Sequence, residues 1–170
     1  PSGLSKTKRG RYMGATPSKK SGPGQAVRRR MQKHKRLRGF GTSKEFVHVV
    51  VKINGKNRKR WEKISREIHM GHKIDAVRFW NGVGRFFGPK HAVVREFMRD
   101  PDNYELEHGP TNSSNGAGLG ATYDDPASQL YDAVNSNPAK LKAWKTALSA
   151  AMSNHLTPQE RTFVKRYFPF

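Results

Sequence analysis

Cysteine is absent from the 170 residues, which excludes disulfides, zinc–thiolate centres and thiol nucleophiles. Acidic residues are scarce in one region: residues 1–60 carry 19 Lys or Arg against a single acid, Glu45. No apolar run approaches the roughly eighteen residues that cross a bilayer. The charged opening has no signal-peptide apolar core behind it, so this piece is expected neither to span a membrane nor to export itself. The chain also opens at Pro1 without an initiator Met, as expected of a segment cut from something longer.

What is present is positive charge. Thirty-three Lys and Arg face 13 Asp and Glu, a formal charge of +20, so the chain is expected to sit at a polyanion surface. Residues 1–60 hold +18 of that excess. The pattern predicts a basic N-terminal arm over 1–44, a core over 45–126 and helices over 127–170 packed back on it. Residues 1–24, rich in Gly, Ser, Pro and Lys, read as loop, and for Ser2–Lys20 a solvated tail and an ordered contact surface are equal alternatives. A helix is predicted over 25–38, laying Arg28, Arg29, Arg30 and Lys33 along phosphate, with a solvated helix as the alternative, and anchored by Val27, Met31 and Leu37.

Residues 45–53 are rich in β-branched side chains and meet Asn54-Gly55, the strongest short hairpin signal, before 58–64 returns. Lys56, Arg58, Lys59 and Arg60 then lie on the second strand as candidates to grip a sugar–phosphate backbone, while Trp61 reads as a core aromatic. Helical spacing of apolar residues recurs over 75–86 and 90–99, split at Gly88-Pro89, and again after Ser128. These elements make the chain α+β.

The chemistry concentrates between Glu67 and Gly116. Cleaving a phosphodiester takes a base to deprotonate water and a divalent cation to neutralise charge on the phosphate and the leaving oxygen. His72 is the candidate base, and Glu107 and Asn112 are hard oxygen donors suited to the cation. Asn103–Glu107 reads as a short strand and Asn112-Ser113-Ser114 as the cap of a short helix. His69 lies three residues from His72, and in an extended segment the two face opposite ways, so one of them points away from the site. His34, His48, His91 and His155 read as structural.

Gly71-His72, two helices, then Asn103–His108 and Asn112–Ala117 resemble the HNH/endonuclease VII superfamily of His-Me finger nucleases, in the GH-E branch of bacterial polymorphic toxins. Residues 10–21 and Val27–Met31 resemble the lead-in of such toxins, and Pro1–Leu4 the end of the signature that closes an Rhs core. The resemblance implies a ββα-metal core with inserted helices, a β-hairpin and a C-terminal helical segment. In it His72 is the general base, Asn103 steadies the loop that presents it, and Asn112 is a metal ligand. Gly71 stands where an acidic ligand is usual, so Glu107 is taken as the second ligand, with Asp75, Glu105 and His108 as substitutes.

The resemblance further implies one divalent ion, Mg first, with Mn, Ni or Zn as alternatives, and DNA as substrate. It implies an acidic cognate immunity protein, an Rhs core in the parent polypeptide, type VI secretion by the producing cell and action in the target cell's cytoplasm. The competing readings are a nonenzymatic nucleic-acid-binding protein, in which His72 is structural, and a ribonuclease toxin.

Overall fold

Helix-forming and strand-forming residues alternate along this chain in short blocks, and they assemble into two units that interleave in sequence. The computed structural model describes residues 7–114 and 121–170. In chain order the elements are α1 (Lys8–Tyr12), α2 (Gly22–Lys33), β1 (Leu37–Arg38), β2 (Phe46–Ile53), β3 (Lys56–Lys63), β4 (Ile68–His72), α3 (Ala76–Gly82) and α4 (Ala92–Arg99). They continue with β5 (Tyr104–His108), α5 (Gly109–Ser114), α6 (Tyr131–Val134), α7 (Pro138–His155) and α8 (Pro158–Val164), so the chain is α+β as expected. Pro1–Leu4 and Asn115–Gly120, which carried part of the resemblance, lie outside the described residues.

One unit, residues 16–73 and 100–119, holds all the strands. Ser21 caps α2 by accepting the Gly24 N–H at 3.1 Å, and Pro23 fits the first turn, where its missing N–H costs nothing. The helix therefore starts three residues before the predicted Gln25. Val27 and Met31, four apart and on one face, are 0% and 1% exposed and pack on Val47, Val49, Val51, Ile68, Met70, Tyr104 and Leu106. The strand order is β1-β2-β3, all antiparallel, with β4 and β5 forming a separate antiparallel pair. Asn54 and Gly55 take φ of 52° and 78°, the primed turn that matches strand twist, and they close the β2–β3 hairpin where expected.

The other unit, residues 1–15, 74–99 and 120–170, is built on rings. Phe79 stacks on Phe97 at 3.8 Å, Trp80 stacks on Tyr12 at 4.4 Å, and the Trp80 and Trp144 indole N–H groups donate to the carbonyls of Asp124 and Phe86. The predicted break at Gly88-Pro89 is present, with Gly88 at φ 113°, a value that favours glycine. α8 opens with a capping box between Thr157 and Glu160.

The compact units cut across the expected boundaries at 44/45 and 126/127. Residues 8–38 are not a free arm. α1 buries Tyr12, α2 buries Val27 and Met31, and β1 pairs with β2, because these few apolar residues fall at core spacing among the cations. Part of the predicted loop is α1, capped by the Thr7 side chain. Trp61 corrects its sequence reading: it is half-buried on β3 beneath the Arg38 guanidinium, 3.8 Å from the ring centre, and does not enter the core. No helix among the described residues is long and apolar enough to cross a membrane.

Candidate functional site

β4 and β5 pair in the register Ile68↔His108, His69↔Glu107, Met70↔Leu106, Gly71↔Glu105 and His72↔Tyr104. Directly opposed residues share a face and successive ones alternate, so His69, Gly71, Glu105 and Glu107 lie on one face of the pair. Ile68, Met70, Tyr104 and Leu106 take the other, which is core. α5 follows β5 without a linker, so its side chains return towards the strand that precedes it.

This arrangement brings Glu107 and Asn112 together: Asn112 Nδ2 donates to Glu107 Oε1 at 2.8 Å. The Glu107 carboxylate also covers Gly71 so closely that a Cβ there would overlap it. Glycine at 71 thus has a physical reason, since any larger residue displaces the carboxylate from the place an acidic side chain at 71 would itself fill. Asn112 sits within α5 and not at its cap, because the helix begins at Gly109.

His72 is half-buried at the end of β4, its Nε2 2.9 Å from the Tyr104 hydroxyl and its ring 4.5 Å from the tyrosine ring. Register assigns it to the face opposite Glu107, whereas exposed His69 stands directly across from Glu107 with its ring against Gly109. Asn103 is 1% exposed, and its carbonyl accepts the Lys73 N–H at 2.7 Å, which pins the residue following His72.

Two of the three substitutes, Glu105 and His108, are otherwise engaged. Arg36 clasps Glu105 with two bonds, at 2.9 and 2.7 Å. The hydrogen bonds from Arg36, aided by the charges of Arg36, Lys73 and Arg30, outweigh burial and hold the Glu105 carboxyl below its ordinary value of 4.5. His108 Nδ1 lies 2.7 Å from Thr111 Oγ1 and its Nε2 3.2 Å from Glu67 Oε2. The Glu67 carboxylate only accepts, so Nε2–H faces it and the Thr111 hydroxyl, which also accepts the Lys52 N–H, donates to Nδ1. That tautomer ties strand to helix. Asp75 belongs to the ring-based unit, at the N-cap of α3, and makes no side-chain capping bond.

A cleft of about 370 Å³ opens beside Glu107 and Asn112, walled by Glu105, Arg36, Lys59 and His48. Neither His72 nor His69 lines it. His48, read from sequence as structural, is the residue that reasoning missed. Its signal was the alternation of β2, which turns Val47, Val49 and Val51 inward and His48 outward opposite Trp61.

The predicted phosphate contacts divide. Arg28 bonds Glu45 at 2.6 Å and the Lys19 carbonyl, and Arg30 bonds the carbonyls of Pro101 and Tyr104, so both are structural ties. Arg29, Lys33, Lys56, Arg58, Lys59 and Arg60 are exposed, with Arg60 3.2 Å from Glu62.

Among the described residues no three His, Asp or Glu side chains converge as a metal cage. Two hard oxygen donors with the rest of the shell left to water and substrate suit Mg²⁺, which keeps several waters, and do not suit a closed zinc centre. Compared with known proteins, the chain matches no family model, no curated protein and no solved structure.

Proposed function

We propose that this chain is a metal-dependent DNA endonuclease, the toxin end of an Rhs-type polymorphic effector held in check by an acidic immunity protein. The observation that carries the reading is the Glu107 carboxylate, which covers Gly71 and bonds Asn112 beside a cleft with Arg36 and Lys59 in its wall. β4, β5 and α5 are then the ββα-metal core, and Glu107 and Asn112 hold the ion. A divalent ion bound there supplies positive charge to the phosphate and the leaving oxygen.

His72 is the base. Its Nε2 lies against the Tyr104 hydroxyl, and the buried tyrosine keeps the ring from turning, so the imidazole is held in one orientation to take a proton from water. Register favours His69, which stands opposite Glu107; orientation favours His72, because for His69 no hydrogen bond within the protein is found among the described residues. A general base works through a fixed ring, and the fixed ring is that of His72. Lys59 and the exposed hairpin cations steady the phosphate, and an acidic inhibitor meets the same cations.

Supercoiled plasmid and total RNA, each incubated with and without a chelator, test the reading. The expected result is plasmid nicking that the chelator stops, lowered about a hundredfold to ten-thousandfold by His72→Ala and little by His69→Ala. Gly71→Ala is expected to cut activity while leaving the melting temperature nearly unchanged, since the displaced atoms are the end of a flexible side chain. The reverse histidine result moves the base to His69, and cleavage of RNA alone makes the protein a ribonuclease. No cleavage of either substrate leaves a nucleic-acid-binding protein.

A further inference from the structure

We propose that the outward face of the β1–β2–β3 sheet is a stacking surface for single-stranded nucleic acid, running into the cleft at Glu107. It rests on the nuclease reading for what happens to that strand, and on its own observations for the binding. The register sets Arg38, Phe46, His48, Val50, Lys59 and Trp61 on one face, opposite the Val47, Val49 and Val51 face that forms core. Phe46, which opens β2, and Val50 are 37% and 40% exposed there, and among the described residues Phe170 is the one other large apolar side chain left so exposed.

Two cations on this face lack the carboxylate partners that tie several others into the fold. Arg28, Arg36 and Arg78 are each paired with a glutamate, whereas Arg38 and Lys59 have no acidic partner among the described residues. Arg38 is nonetheless held in place, its guanidinium 3.8 Å over the Trp61 ring, an arrangement that leaves its edge N–H groups directed to solvent. The other neighbour of Trp61 is His48, stacked at 5.1 Å with 27° between the planes, and His48 lines the cleft with Glu107. The face therefore offers the Arg38 guanidinium, held by stacking, as a phosphate donor on the same face as the exposed Phe46 ring. Duplex bases are already stacked on each other and cannot use Phe46; unpaired bases can. Charge selects a polyanion, and the exposed Phe46 ring selects its single-stranded form.

The test measures binding in chelator, so that no cleavage occurs, of a labelled oligothymidylate and of a mixed-sequence duplex. Phe46→Ala is expected to weaken the single strand roughly tenfold, the scale of one lost base stack, with duplex affinity unchanged, and Phe46→Trp is expected to restore it. Arg38→Ala is expected to lower the single-strand salt slope by about 0.7, one phosphate. Trp80 and Trp144 are 0% and 3% exposed, so quenching of indole emission on binding reports Trp61. Equal losses on single strand and duplex, or none, overturn the proposal, as does a dimer seen by light scattering that Phe46→Ala dissolves, which makes a second copy the occupant. Single-strand binding through Phe46 without any metal-dependent cleavage leaves this inference standing and sinks the nuclease reading; cleavage unaffected by Phe46→Ala, with unchanged single-strand binding, does the opposite.

Discussion

The ring-based unit and the strand-bearing unit solve the same problem, a stable core in a chain without cysteine, by different means. The first buries large rings against one another: Phe79 on Phe97, Trp80 on Tyr12 and Trp144 edge-on to Phe87. The second has a smaller, mostly aliphatic core, and both units add guanidinium ties, Arg78 to Glu160 in the first and Arg28 to Glu45, Arg30 to two carbonyls and Arg36 to Glu105 in the second. The difference teaches that the cations of this chain have two occupations. Those with carboxylate or carbonyl partners across the fold hold it together, whereas Lys56, Arg58 and Lys59 on the hairpin lie exposed with no carboxylate partner among the described residues.

The largest expected effect is in the rings. Trp80→Ala removes a fully buried indole, its stack on Tyr12 and its bond to Asp124, and is expected to cost about 3–5 kcal/mol in chemical denaturation. A loss below about 1 kcal/mol, the scale of an ordinary substitution, breaks the claim that ring burial stabilises this unit.

Arg28 sharpens the other side of the comparison. It and Glu45 are 12% and 11% exposed, and Glu45 Oε1 has no hydrogen-bond partner among the described residues, so Arg28→Ala strands a mostly buried carboxylate. We expect a loss of about 3 kcal/mol, with nucleic-acid affinity of the folded variant little changed. Lys59→Ala is expected to do the reverse, weakening binding without changing the denaturation midpoint. If Arg28→Ala instead lowers affinity and leaves stability intact, the two occupations are not separate.

The smallest effect is a pH dependence present once in each unit. Arg36 hydrogen bonds hold Glu105 below 4.5; in Glu160 burial pushes the carboxyl up, but bonds from Arg78 and Thr157 outweigh it and the net direction is again down. A carboxyl lowered by folding contributes stability fully present above pH 4.5 and lost as pH falls through its lowered value. Denaturation followed downward from neutral pH is therefore expected to show a loss beginning below 4.5. Arg36→Met and Arg78→Met are each expected to flatten it, and a slope unchanged in both variants excludes these pairs as its source.

Local signals were legible. Asn54-Gly55 marked the hairpin turn, Gly88-Pro89 the helix break, and apolar spacing the helices around Trp80 and Val94, because each depends on neighbours a few residues away. The closeness of Glu107 and Asn112 was legible for the same reason, a strand running into a helix within six residues. The arm was misjudged because charge count hides two anchors; Val27 and Met31 carry the burial while the arginines around them find partners far along the chain.

By itself the sequence determined the α+β class, the polyanion-seeking charge, the exclusion of thiol chemistry and the candidates His72, Asn103, Glu107 and Asn112. Tertiary structure alone decided that Glu107 lies over Gly71, that His72 and His69 occupy opposite faces, and that His48 reaches the cleft. It also decided that Arg28 and Arg36 meet carboxylates while Arg38 lies over the Trp61 ring. Composition and periodicity follow from each residue and its near neighbours, whereas register and pairing join residues tens of positions apart, and a one-residue slip in β4–β5 would exchange every face.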